Sequence, residues 1–229
     1  MSHCYGDAVA EPPSDDELER LPIFPLPGLV LFPHTRLPLH FFEPRYRQLM
    51  ADCLERGPRC MAIAQVRAAE RAGGDVPIHE RACIGRIAEH ERNQDGTYDV
   101  VLDGIARVVI EELPSDEPYR LARARVLEDR LPSGGVDDAE LRALIAVSRS
   151  IAALVSRSGR QLDLALHTGD PPVVIIDRLA DQLVAEPAMR QELLETVDVE
   201  RRLAGLLRAV VQIEAGVRAS IEGGPGAPN

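Results

Sequence analysis

Lysine and tryptophan are absent from this chain of 229 residues, and all 26 basic side chains are arginine. Without lysine there is no Schiff base, no Ser-Lys dyad and no Walker-type phosphate lysine. The nucleotide loops G-x-x-x-x-G-K-[ST] and G-x-G-x-x-G do not occur, nor do G-x-S-x-G, H-E-x-x-H or H-x-E…C-x-x-C. No run of eighteen apolar residues exists, and Met1–Arg20 has no signal-peptide core. A cytoplasmic protein with no membrane role is the expectation. Cys4, Cys53, Cys60 and Cys83 show no C-x-x-C spacing. They read as small hydrophobes, Cys53 and Cys60 buried in apolar-patterned segments, and not as a disulfide frame or metal site.

What is present is ordinary globular material: 45% hydrophobic and 28% charged residues, with a formal net charge of −11. Affinity for a phosphate backbone comes from basic neutralisation, so an acidic body argues against nucleic acid as a partner. Aromatics make up only 3%, yet all four phenylalanines fall between Phe24 and Phe42. The surrounding stretch, LPIFPLPGLVLFPHTRLPLHFFEPRYRQLM from Leu21 to Met50, also holds six prolines. Proline is tolerated in sheets at edges, first positions and bulges. The stretch therefore reads as short strands with a turn at Pro27-Gly28, leaving and rejoining a sheet at the seam of a small barrel.

Pro44 opens a helix in which Tyr46, Leu49, Met50, Cys53 and Leu54 share one face, and Gly57-Pro58 ends it. The period then changes to two. Strands are expected over 59–66, 83–92, 97–103, 106–113 and 120–129, with Asp95-Gly96 a hairpin signal and Gly104 breaking one strand from the next. From 138 onward the pattern is helical. Asp170-Pro171 is expected to cap one helix, Pro187 to start another and Asp198 to cap the last. The division expected is a disordered acidic N-terminus over 1–20, a β-rich pseudo-barrel over 21–130, a linker over 131–137, a helical bundle over 138–222 and a flexible tail over 223–229. The fold class is α+β.

The six histidines are scattered. His34 and His40 lie in the apolar stretch but have no neighbouring nucleophile or ligand, and Cys60 with a distant histidine is an unsupported nucleophile–base pair. Glu89, His90, Glu91 and Arg92 read as a solvated face. The strand from Arg120 to Arg125 has Glu117, Glu128 and Asp129 nearby to neutralise it.

LPIFPL followed by VLFPHTRLPLHFFEPRYRQLM resembles the start of the Lon protease N-terminal substrate-binding domain, and is most similar to its stand-alone members. IGRIAEHERNQDGTYDVVLDGIARVVIEEL resembles that family's G-x-hydrophobic-A strand, Asp-Gly hairpin and L-x-G-x-x-R strand. PYRLARARVLED and QELLETVDVERRLAGLLRAV resemble its next strand and closing helices. The ordered set spans about residues 21–213. It implies a PUA-like pseudo-barrel followed by a helical bundle, without the ATPase and protease domains. The implied function is non-enzymatic recognition of unfolded or partner polypeptides, as adaptor or holdase, in association with a proteolytic machine. No cofactor and no metal are expected, and oligomeric state is left open. The alternative is a small-ligand or nucleotide-sensing domain using the cleft between barrel and bundle. Phe32, Pro33, His34, Phe41 and Phe42 are the candidate polypeptide-binding residues, if they form an exposed apolar patch and are not core.

Overall fold

A computed structural model describes residues 11–67, 76–157 and 159–222. The tail expected over 223–229 and Cys4 lie outside the described residues. The elements are α1 (Asp15–Glu19), β1 (Leu21–Leu26), β2 (Arg36–Phe41), α2 (Pro44–Glu55), β3 (Cys60–Gln65), β4 (Arg81–Arg92), β5 (Tyr98–Leu113) and β6 (Arg120–Val126), then α3 (Asp138–Arg157), α4 (Pro172–Leu183), α5 (Pro187–Glu195) and α6 (Val199–Glu222).

The strands form one mixed sheet in the order β2-β5-β4-β3-β1-β6, and an additional β5–β6 pairing closes the last five into a barrel. β1 and β3 run parallel; the other pairs are antiparallel. Alternation divides the side chains. Leu21, Ile23, Ala62, Ile84, Val108 and Ala122 meet in one buried cluster inside the barrel. Phe24, Met61, Cys83 and Leu102 point the other way, into a second cluster shared with α2 and the C-terminal helices. β3 is consequently buried along its whole length.

Two expectations are corrected. The strand break at Gly104 does not occur, because β5 runs unbroken from Tyr98 to Leu113. Glycine there serves close approach: a Cβ would stand 2.0 Å from the Phe32 carbonyl oxygen, while a register shift at Ile84/Gly85 absorbs the bend. The disorder expected over 1–20 is corrected from Ser14 onward. The Ser14 hydroxyl accepts from the Glu17 N–H at 3.3 Å and the Glu17 carboxylate accepts from the Ser14 N–H at 2.8 Å, a reciprocal cap. Glu17 then pairs with Arg86 at 3.0 Å and Glu19 with Arg123 at 3.0 Å, tying α1 to the barrel.

Among the helix starts, Pro171 is the N-cap of α4, and Asp170 instead accepts from Arg178 at 2.8 Å. Asp198 accepts from the Arg201 N–H at 2.9 Å at the start of α6. Barrel and bundle are joined by a largely buried ion cluster. Arg107 of β5 forks onto Asp177 of α4 at 2.9 and 2.6 Å and donates to the Leu194 carbonyl at 3.1 Å. Arg202 of α6 forks onto Asp129 at 2.8 and 2.7 Å and lies 3.4 Å from Asp177. Asp177 and Arg202 are 0% exposed. No helix among the described residues is long and apolar enough to cross a membrane.

Candidate functional site

A groove of about 1140 Å³ lies where the C-terminal half of β1, the end of β2 and the start of α2 face α5. Its floor follows from the breaking of the barrel seam. β6 pairs with β1 only as far as Ile23, so among the described strands Phe24–Leu26 are bonded to β3 alone. Pro25 has no N–H with which to recruit another strand. Aromatic rings fill the gap instead. Phe24 packs on Phe41 with centroids 4.6 Å apart and meets Tyr46 edge-on at 4.5 Å. The Pro27-Gly28 turn, with Gly28 at φ 71°, carries the chain away beside Pro187 of α5.

Phe42 stands on the rim, 63% exposed, with its ring stacked at 6.2 Å on the imidazole of His40. Val76 is a second exposed apolar side chain on the same lining. The facing wall belongs to α5. Glu186 caps that helix, accepting from the Ala188 N–H at 3.1 Å and from the Met189 N–H at 2.5 Å. Glu192 and Glu195 follow on the same side of α5, and His79 approaches Glu195 at 3.1 Å.

The five candidate residues separate. Phe32 and Phe41 are 0% and 1% exposed and belong to the core, and Pro33 is buried as well. The expected patch is corrected to that extent. Phe32 is held under the Arg190 guanidinium, 5.2 Å from its ring. His34 is exposed but off the groove, in a left-handed conformation at φ 64°, its carbonyl accepting from Arg178 at 3.4 Å. Phe42 alone of the five lines the groove. Sequence reasoning passed over Phe24, Tyr46 and the glutamates of α5. The alternation Leu37, Leu39, Phe41 against Pro38, His40, Phe42 was the available signal for which phenylalanine points out.

Covalent chemistry finds no support among the described thiols. Burial pushes Cys53, Cys60 and Cys83 up to about 12, so at neutral pH they are protonated hydrophobes. No cluster of metal-ligating side chains is present among the described residues.

Residues 20–212 match the family model of the ATP-dependent protease La (LON) substrate-binding domain. Lon protease 2 of Sorangium cellulosum is 29% identical over 216 residues, covering 90% of this chain and 26% of that protein. Lon protease of Escherichia coli K12 is 23% identical over 195 residues, covering 85% of this chain and 25% of that protein. The chain thus spans about a quarter of the length of these relatives. Among solved structures, a Lon N-terminal domain protein from Xanthomonas campestris superposes with a TM-score of 0.61 at 22% identity, over 82% of this chain and 97% of that one. The N-terminal domain of a Mycobacterium avium complex Lon protease does so with a TM-score of 0.57 at 17% identity, over 86% of this chain and 98% of that one. These two likenesses concern the fold. The match over residues 20–212 establishes that the chain belongs to the LON substrate-binding domain family.

Proposed function

We propose that this chain is a non-enzymatic polypeptide-binding module that captures unfolded or partner segments in the groove between the barrel and α5. The observation that carries the reading is Phe42. A large aromatic left 63% exposed on the rim of an apolar groove is a binding surface awaiting cover. The family's substrate-binding description supports the same reading. An adaptor or holdase role follows, with delivery to a proteolytic machine, since the relatives are Lon proteases.

The competing reading, a small-ligand or nucleotide sensor, fits less well. Small-molecule pockets are roughly 300–1,000 Å³ with converging polar groups, and this groove is larger. A nucleotide also needs a cationic cradle, whereas α5 presents Glu186, Glu192 and Glu195. The test is fluorescence anisotropy with labelled, reduced and carboxymethylated α-lactalbumin as an unfolded client. Saturable binding is expected, with no binding of the native calcium-loaded form. Equal binding of both forms, or of neither, would overturn the reading.

A further inference from the structure

We propose that the groove takes its polypeptide as an added strand on the open edge of β2, and selects segments in which basic and apolar residues alternate. The inference rests on the reading of the groove as a polypeptide site and names the mode and the class of segment.

The open edge follows from the ladder. Among the described residues, β2 is hydrogen-bonded to β5 alone. The Thr35 carbonyl accepts from the Gly104 N–H at 2.8 Å, so the main chain at Thr35 faces β5. The two-residue period then turns Leu37, Leu39 and Phe41 toward β5, and turns the N–H and C=O groups of Arg36, Pro38 and His40 away from it. Pro38 agrees independently, because proline is tolerated in a strand where its nitrogen points off the ladder. His40 lines the groove. Its outward N–H and C=O are therefore a donor–acceptor pair in the groove with no strand among the described residues to meet them. An antiparallel guest residue exchanges both bonds with such a pair, the usual chemistry of strand addition. Pro38 confines the pairing to the groove end of β2 and protects the rest of the edge.

The selectivity comes from α5. Its wall offers acceptors only. Glu186, Glu192 and Glu195 are carboxylates. Gln191 is 3% exposed, and its Nε2 donates to the Arg81 carbonyl at 2.9 Å and to Glu195 at 2.8 Å, which fixes the amide orientation. Its carbonyl oxygen is left with no donor among the described residues. Two cations on the opposite lining are already neutralised, Arg45 by Glu43 at 2.9 Å and Arg120 by Glu112. Among the described residues of the lining, Arg67 and His79 remain against the three carboxylates of α5, and His79 already meets Glu195 at 3.1 Å. Glu186 already accepts from two backbone N–H groups and Glu195 from Gln191 and His79, so arginine or lysine side chains supply the counter-charge of the wall and the donors for Glu192 and the Gln191 carbonyl. Apolar side chains on the other face of the same guest strand cover Phe42, which stands on the lining beside His40.

The experiment is anisotropy on the full chain with a labelled decapeptide alternating valine and arginine. It is compared with a valine–glutamate decapeptide and with two derivatives N-methylated at every valine or at every arginine. The expected result is binding of the valine–arginine peptide, about tenfold or more loss for the glutamate peptide, and about tenfold or more loss for one N-methylated derivative only. On the protein side, His40→Pro removes one outward N–H without touching the β5 ladder. It should weaken binding about fivefold or more beyond His40→Ala, which removes the same imidazole, with the melting temperature recorded for both. Equal tolerance of the two N-methylated derivatives overturns strand addition, and glutamate binding as tightly as arginine overturns the selectivity. If none of the decapeptides binds while unfolded α-lactalbumin does, the proposal fails and the groove reading stands. If α-lactalbumin also fails to bind, that reading fails with it.

Discussion

The barrel meets the bundle in two ways, and α5 takes part in both. At its end, the Leu194 carbonyl accepts from Arg107 inside a cluster where two arginines face two aspartates, all buried except the half-buried Asp129. Along its side, Glu186, Glu192 and Glu195 face a groove with exposed apolar side chains and, among the described residues, few cations not already paired. A charge removed from water must be paired, and the first arrangement pairs each of its charges, with the Arg202 Nε left as a buried nitrogen that has no hydrogen-bond acceptor among the described residues. The second is tolerated because water reaches it, and it keeps its apolar and acidic surface available. One contact fixes the geometry and the other breaks the packing rules, which is where function is expected to reside.

The sharpest way to break this contrast is Asp177→Ala. The substitution leaves Arg107 facing a void and Arg202 with one partner fewer, both with buried side chains. Removing one partner of a buried pair costs about 3–5 kcal/mol. At roughly 2–4 °C per kcal/mol for a chain of this size, the melting temperature should fall by roughly 6–20 °C. Differential scanning calorimetry measures it. A change under about 2 °C would mean that apolar contacts alone hold the junction.

The core phenylalanine behind the groove comes next. Phe41→Ser removes a ring that is 1% exposed and packed 4.6 Å from Phe24. Transfer, cavity and buried-hydroxyl costs together reach about 3 kcal/mol or more, so roughly 6–12 °C should be lost. Phe41 and Phe42 also show what the sequence made legible. Period-two runs placed the strands and 3.6-residue runs placed the helices, because burial is written into local alternation. The same alternation separates Phe41 from Phe42, but only once the strand is known to begin near Arg36, and a proline-rich segment hides that. The ion cluster has no local signature at all. Arg107 and Asp177 are 70 residues apart, and Arg202 and Asp129 are 73 apart. Asp177 sits inside an otherwise apolar helix face, so only the tertiary fold brings the partners together.

A smaller effect sharpens the contrast through pH. Burial alone would raise the Asp129 carboxyl, but Arg202 and Arg107 outweigh it and hold it below its ordinary value. Glu17 is likewise held low, chiefly by its bond to Arg86. A carboxylate depressed in the folded state contributes stability that is fully present above its unfolded pKa. That contribution is lost as pH falls through the folded value. The unfolded values are about 3.9 and 4.3, so the melting temperature should be level between about pH 5 and 7 on account of these two groups and fall below about pH 4. Asp129→Asn should melt lower at pH 7, and its deficit should shrink as the pH drops. A deficit independent of pH would show that the charge of Asp129 is not what the cluster uses.

The smallest change in stability belongs to the residue with the clearest functional claim. Phe42 is 63% exposed, and among the described residues its one ring contact is the His40 imidazole at 6.2 Å. Replacing it by serine deletes little buried surface and strands no polar group, so the expected cost is within about 0.5 kcal/mol, or roughly 1–2 °C. Binding should respond quite differently. An aromatic anchor in a desolvated contact contributes about 1–2 kcal/mol on truncation, so Phe42→Ser should weaken capture of unfolded α-lactalbumin roughly fivefold to thirtyfold. The two measurements are read together. A stable variant with reduced affinity places the client on the rim of the groove. A stable variant with unchanged affinity removes Phe42 from the binding surface and shifts the burden to the β2 edge and the α5 wall. A variant that melts as low as Phe41→Ser would mean that the ring is covered in solution, and the distinction between the closed and the open parts of the junction would fail at this residue.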